Sequence, residues 1–310
     1  MAAVKTPRIL FITANRLGDA VISTGLLAEL IRRNPGARIT VACGPVAASL
    51  FEACPSVERV ITVVKQRWDR HWFTLWQACV GTAWDLVVDL RGSAVSLFLW
   101  TRQRRILRGG RRPGPRINHI GALMKLSPPP LPVTWSTAGQ NEKAAHILPH
   151  DAGSWLALAP TANWDGKIWP AERFVAVARD LMRSGLKPVV FYGPGREEQA
   201  RAAPVLAGLP EARDLGGNRP IGEVAALLKR CALFVGNDSG LMHLAAAGGV
   251  PTLGLFGPSK ASEYAPSGVA ASHVAADGPE GSADIHNLSV ETVLVAARQR
   301  LGSPEGHAAA

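Results

Sequence analysis

The sequence predicts an α/β protein built from two doubly wound domains, and three observations predict it. Short apolar runs alternate with segments whose apolar residues recur at helical spacing. The alternation stops in a stretch rich in Arg, Gly and Pro and then restarts. The chain's 310 residues suffice for about two domains, each with its own core.

In chain order, Arg8 to Ala14 is an apolar run ending in a polar turn. Asp19 to Arg33 follows with Val21, Ile22, Leu26, Leu27, Leu30 and Ile31 at helical spacing. Arg38 to Ala42, Val57 to Val64 and Asp85 to Leu90 repeat the strand pattern as continuous apolar runs, as expected of a parallel sheet covered on both faces. Trp68, Trp72 and Trp76, four apart, are expected on one helix face, packed in the core or forming an interfacial or acceptor-facing surface. Arg111 to Pro132, with three consecutive prolines at 128 to 130, reads as a loop and linker, because proline continues neither a helix nor a central strand.

The second round predicts strands at Leu156 to Ala159, Pro188 to Tyr192, Ala232 to Val235 and Thr252 to Phe256. Helices are predicted at Pro170 to Arg183, Glu197 to Leu206, Ile221 to Cys231 and Ser239 to Ala247. Ser289 reads as the N-cap of a final amphipathic helix reaching Leu301. The resulting division is residues 1–145, 146–284, and a helix and tail at 285–310.

Composition is that of an ordinary globular chain, 47% hydrophobic and 19% charged, which sets disorder and fibres aside. The four cysteines form no C-x-x-C pair, so neither a disulfide framework nor a zinc site is expected, and a reducing compartment is. The apolar run behind Arg8 is too short for a secretion signal, and glycines, a histidine and a proline interrupt Leu241 to Phe256, so a soluble or peripheral protein is expected. The net charge is +10. Arg102, Arg104, Arg105, Arg108, Arg111, Arg112 and Arg116 cluster without an intervening acid and suggest an anionic partner.

Three motifs fall at carboxyl ends of predicted strands, where open α/β sheets bind ligands, in a cleft expected between the two domains. They are Asn15-Arg-Leu-Gly-Asp19, Asn163-Trp-Asp-Gly-Lys167-Ile-Trp-Pro170, and Gly236-Asn-Asp-Ser-Gly-Leu-Met-His243. No G-x-G-x-x-G follows the first strand, and no Walker A, G-x-S-x-G or H-E-x-x-H motif occurs. The third motif opens a helix and leaves the amides of Ser239, Gly240 and Leu241 free to hold a phosphate; its plainer reading is an N-cap at Asp238 or Ser239. Asp238, being anionic, is expected to cap or to bond a sugar hydroxyl rather than face phosphate. Asp19 suits a general base, since sugar transfer needs a hydroxyl proton removed; its plainer reading is a helix-end charge.

With Leu17-Gly-Asp19, Lys167-Ile-Trp-Pro170, and Asn237-Asp-Ser-Gly-Leu-Met-His243 followed by Pro251 and Phe256-Gly-Pro-Ser259, residues 8 to 260 resemble the ADP-heptose:lipopolysaccharide heptosyltransferases. The resemblance implies a GT-B fold, two Rossmann-like domains facing a central cleft, and metal-independent inverting transfer without a cofactor. It implies Asp19 as base, Lys167 on the donor diphosphate, Thr161 on phosphate, and Glu197 or Glu198 after Gly193 near the nucleoside ribose. Asp238, Ser239, Gly240, Leu241 and His243 fall on the donor-binding turn, and Asn163 and Met242 depart from the family pattern. Arg16, Arg102, Arg105, Arg111 and Arg112 are assigned to an anionic glycolipid acceptor. Partners are then a nucleotide sugar, that glycolipid and the inner membrane's cytoplasmic face, touched peripherally, with no nucleic acid. Two other readings stay open: a relative that hydrolyses or epimerises a nucleotide sugar, and a nucleic-acid binder using the arginine cluster.

Overall fold

The computed structural model describes residues 6–109, 112–150 and 154–302. The chain divides into two compact units, Met1–Trp135 and Ser136–Ala310.

The first unit contains β1 (Arg8–Ile12), α1 (Leu17–Ile22), α2 (Thr24–Arg33), β2 (Arg38–Cys43), β3 (Val57–Thr62), α3 (Arg70–Val80), β4 (Trp84–Asp89), β5 (Thr101–Ile106) and α4 (Arg116–Ala122). Its sheet runs β3-β2-β1-β4-β5, all parallel, so the chain reverses its direction of winding between β1 and β4. Leu10, Ile12, Val87, Leu75, Cys79 and Leu99 share the core on one face.

The second unit contains α5 (Ala138–Ile147), β6 (Trp155–Ala159), α6 (Ala171–Met182), β7 (Lys187–Val190), α7 (Arg196–Gly208), β8 (Arg213–Asp214), α8 (Ile221–Leu228), β9 (Cys231–Asn237), α9 (Gly240–Ala247), β10 (Thr252–Phe256), α10 (Ala261–Tyr264), β11 (Ala271–Ala275) and α11 (Val290–Leu301). Its sheet, β11-β10-β9-β6-β7-β8, is also parallel, with the reversal between β6 and β9. Trp169, Phe174, Leu158, Val235 and Leu255 join Leu288, Val293 and Ala297 of the C-terminal segment in one core.

Several expectations change. The helix expected over Asp19 to Arg33 is two helices, because the Ser23 and Thr24 hydroxyls bond back to the carbonyls of Ala20 and Val21 at 2.7 Å each and bend the axis. The expected linker holds α4, and the segment after it packs on the first unit: the Val133 amide donates to Thr24 Oγ1 at 2.9 Å. The tryptophan stripe breaks. Trp72 and Trp76 are half-buried against the core, whereas Trp68 precedes α3 at φ 58° and is exposed.

The charge pattern hid β5, which as an edge strand carries arginines without burying them. The arginine cluster is also not acid-free in space: Arg102 lies 3.6 Å from Asp85 and Arg116 3.8 Å from Asp19, while Arg104 donates to the carbonyls of Ser96 and Leu99. α5 begins with a reciprocal cap between Thr137 and Gln140, the Thr-x-x-Gln spacing of a capping box.

Candidate functional site

In the second unit, the reversal makes β6 and β9 neighbours whose next connections leave in opposite directions, opening a crevice beyond their carboxyl ends. Two motifs meet there. Lys167 follows β6 and Asp238 follows β9, and Lys167 Nζ donates to Asp238 Oδ2 at 2.5 Å, both side chains mostly buried. Lys167 is held in place by its neighbours. The Trp169 amide donates to Asn237 Oδ1 at 3.1 Å, and its fully buried indole donates to the Leu288 carbonyl at 2.9 Å. Arg201 grips the loop from α7, at Asp165 and at the Ala162 carbonyl. Thr161 is buried two residues past β6.

Asp238 therefore answers a lysine rather than capping the helix behind it. Ser239 occupies the N-cap position of α9 but makes no side-chain cap bond, which removes the plain N-cap reading for it. Its hydroxyl, Asn237 Nδ2 and the Ser259 hydroxyl beyond β10 are buried polar atoms without a hydrogen-bond partner among the described residues. Buried groups of this kind are rarely left unsatisfied. Together with the first amides of α9 at Gly240 and Leu241 they form a set of donors suited to a phosphate group, with Lys167 beside it. His243 is buried in the helix's first turn. Met242 is buried too, its thioether over Gly254, so this larger residue goes toward the sheet.

Beyond β7 and β8 lies a cavity of about 580 Å³ lined by Tyr192, Gly195, Gly216, Gly217, Arg219 and Glu223, among others. A nucleoside-sized ligand fits such a volume. Gly217 crosses the Gly193 backbone so closely that a Cβ there would stand 2.1 Å from the Gly193 carbonyl oxygen. Glu198 accepts the Gly193 amide at 3.1 Å, whereas Glu197 is exposed and pairs with Arg201; of these two carboxylates, Glu198 is the one at the strand end. Burial pushes the Glu223 carboxyl up, but hydrogen bonds from Lys143 and Arg219 outweigh it and leave the group below the usual range. Burial, then hydrogen bonding to Asp214, raises the Tyr192 phenol.

In the first unit the reversal lies beside β1, and Asp19 sits in the first turn of α1 just past that strand. Arg116 reaches it from α4, and its Nε is buried without a hydrogen-bond partner among the described residues. Arg91, just past β4, is a neighbour the sequence did not reveal. Its Nη1 donates to Asn15 Oδ1 at 2.9 Å, and its guanidinium lies 4.5 Å from the centre of the Trp72 ring. Asp89 fixes this turn by accepting the amides of Arg91 and Ser93. Arg16 and Arg112 are exposed, as is Arg105; Arg111 lies outside the described residues. Arg102 pairs across from the amino end of β4, roughly 13 Å along the strand from the end that Asp19 follows. Among the described residues no group of three or more His, Cys, Asp or Glu side chains is arranged to hold a metal ion.

Two doubly wound parallel sheets, the second with a donor-rich helix start at its reversal, are the architecture of a GT-B glycosyltransferase. The solved ADP-heptose lipopolysaccharide heptosyltransferase II of Escherichia coli superposes with a TM-score of 0.77 at 22% identity, covering 95% of this chain and 98% of that one. The E. coli heptosyltransferase WaaC with ADP gives 0.76 at 20% identity, covering 94% and 99%. Lipopolysaccharide heptosyltransferase 1 of Pseudomonas aeruginosa is 26% identical over 314 aligned positions, 88% of this chain and 84% of that protein. Lipopolysaccharide heptosyltransferase 2 of Salmonella typhimurium is 25% identical over 81% of this chain and 83% of its own length. The family model for glycosyltransferase family 9 (heptosyltransferase) matches residues 123–292. The chain belongs to that family, and the comparisons favour neither the hydrolase or epimerase reading nor the nucleic-acid reading.

Proposed function

We propose that the enzyme moves a heptose, or a related sugar, from an ADP-activated donor to the core of a lipopolysaccharide precursor on the cytoplasmic face of the inner membrane. The observation that carries this reading is the Lys167–Asp238 pair beside the donor-rich start of α9, a site built for the charge of a departing diphosphate. The names of the relatives supply the sugar, nucleotide and acceptor class. The nucleoside goes to the cavity beyond β7 and β8, with Glu198 near the ribose and Thr161 on phosphate.

The acceptor hydroxyl attacks the anomeric carbon as its proton passes to the Asp19 carboxylate. The new C–O bond forms, the bond from the anomeric carbon to the diphosphate oxygen breaks, and configuration inverts. Lys167 and the amides at 240 and 241 take the charge that ADP carries away, and Asp238 holds the lysine in position. Arg116 positions Asp19, while Arg16, Arg91 and Arg112 are suited to the acceptor's carboxylates and phosphates.

The test is mass spectrometry of a Kdo-bearing lipid A incubated with ADP-heptose and the protein. A gain of one heptose per acceptor, matched by ADP release, is expected. Consumption of the donor at the same rate without acceptor overturns the reading in favour of hydrolysis.

A further inference from the structure

The first unit displays an aromatic surface that neither the donor site nor Asp19 uses. On α3, Leu75 and Cys79 face the core while Phe73 is 59% exposed, its ring stacked on half-buried Trp76 at 5.6 Å. The Trp76 indole donates to the Phe98 carbonyl at 3.2 Å, which brings the short turn at Ala94–Phe98 against this helix. Leu97 and Phe98 of that turn, and Trp100 two residues past it, project 59%, 70% and 80% exposed.

The fold holds these side chains out. Arg104 donates to the carbonyls of Ser96 and Leu99 at 2.6 and 2.9 Å, and the Trp84 amide to the Trp100 carbonyl at 2.9 Å, so the backbone on both sides of Phe98 is fixed. Single exposed apolar residues are ordinary, but three within four positions with a stacked aromatic beside them mark an interaction site.

The charge beside the patch selects the partner. Immediately after Trp100 the edge strand presents exposed Arg102 and Arg105, and before α3 and at its first residue stand exposed Lys65, Arg67 and Arg70, with Arg67 over the ring of Trp68. Asp69 and the partly buried Asp85, beside Arg102, are the nearby acids in these two stretches, so the surface is basic on balance. Aromatic rings ringed by cations match a lipid interface, where Trp and Phe enter at headgroup depth and Arg and Lys meet phosphate.

We infer that Phe73, Leu97, Phe98 and Trp100, with Arg102 and Arg105, dock the enzyme on an anionic phospholipid surface. The assignment rests on the reading above that the acceptor is membrane-borne. It moves Arg102 and Arg105 from the acceptor to the membrane, Arg102 in keeping with its place at the amino end of β5.

Flotation with vesicles of phosphatidylethanolamine and phosphatidylglycerol, against phosphatidylcholine alone, tests it in the full-length protein. Wild type is expected to float with the anionic vesicles, and F98S/W100S to lose at least tenfold in binding while keeping its melting temperature and its turnover of a short, lipid-free acceptor. Should the double variant not fold, W100S alone is expected to show a smaller loss in the same direction. If wild type binds neither vesicle, the membrane reading fails together with this surface. If wild type binds and the variants bind equally well, this surface alone is wrong. Equal binding to phosphatidylcholine overturns the choice of anionic lipid. A wild-type dimer that F98S/W100S turns into a monomer, without change in vesicle binding, assigns the patch to a second copy instead.

Discussion

Lys167 and Asp238 meet at 2.5 Å across the two strand ends that flank the reversal of the second sheet, although 71 residues separate them in the chain. Asp238 holds the ammonium beside the start of α9, which, on the proposed function, puts positive charge in place before a diphosphate leaves.

Lys167→Ala is expected to lower kcat by about 10²- to 10³-fold, the range for losing one preorganised electrostatic group. Excess EDTA is expected to leave wild-type turnover unchanged, because the lysine and the helix amides neutralise the leaving group. Steady-state rates with and without chelator check both. An unaltered kcat with a lowered melting temperature would make the pair purely structural, and loss of activity on chelation that Mg²⁺ restores would remove the charge-neutralising role.

Asp19→Asn is expected to reduce turnover about 10²- to 10⁴-fold with donor affinity preserved, as removal of a general base does. Arg116→Ala, which deletes the neighbour 3.8 Å away, is expected to cost less, since it alters position and not the proton acceptor. Donor titration by calorimetry beside acceptor-dependent kinetics separates the two variants. Full activity in Asp19→Asn would reduce this residue to a favourable charge at the start of α1.

The site was readable where one motif carries its own geometry, and unreadable where geometry comes from sheet order. Lys167, Asp238 and Ser239 stand at strand-to-helix turns that apolar runs announce, and Thr252–Phe256 and Val290–Leu301 fall on their predicted spans. Arg91 and Arg116 are different. They reach the Asp19 end because β4 pairs with β1 and α4 follows β5, facts of topology that no local pattern states. Local chemistry misled in two places. The arginines of β5 read only as an anion-seeking cluster until an edge strand is there to carry them, and the prolines around α4 look like a linker until Pro115 is seen at the N-cap.

Gly25→Ala and Gly139→Ala are expected to act with opposite sign. A Cβ at Gly25 on α2 would stand 2.4 Å from the carbonyl oxygens of both Pro130 and Leu131, where backbone cannot swing aside. Alanine's better helix propensity returns up to about 1 kcal/mol, but overpacking costs about 1–3 kcal/mol or more, so a lower melting temperature is expected. At Gly139 on α5 nothing lies within 4 Å, and the same substitution is expected to stabilise by up to about 1 kcal/mol. Thermal denaturation of the two variants settles the sign. A neutral Gly25→Ala would show that the proline-rich segment does not rest on α2 in solution.

Cys43, Cys54, Cys79 and Cys231 are all free and buried, and burial shapes their chemistry. It pushes the Cys43 and Cys54 thiols up to about 12 and Cys79 to about 11, and raises Cys231 as well. Thiolate is the reactive form, and at pH 8 a thiol titrating near 12 is ionised to about one part in ten thousand. Native protein is therefore expected to react with less than one equivalent of Ellman's reagent on the time scale in which guanidinium-unfolded protein gives all four. The same shift fixes the direction of an alkaline effect. The folded state holds these protons more tightly than the unfolded chain, whose thiols titrate near 8.5. Their contribution to stability is therefore complete below that pH and is lost as pH rises toward 12. Replacing Cys43 with alanine is expected to reduce the alkaline fall in melting temperature between about pH 8.5 and 11, measured beside wild type in the same buffers. A fall of unchanged size would assign the alkaline loss to other groups. Rapid native labelling would show that the interior around these strands opens far more readily than its packing implies.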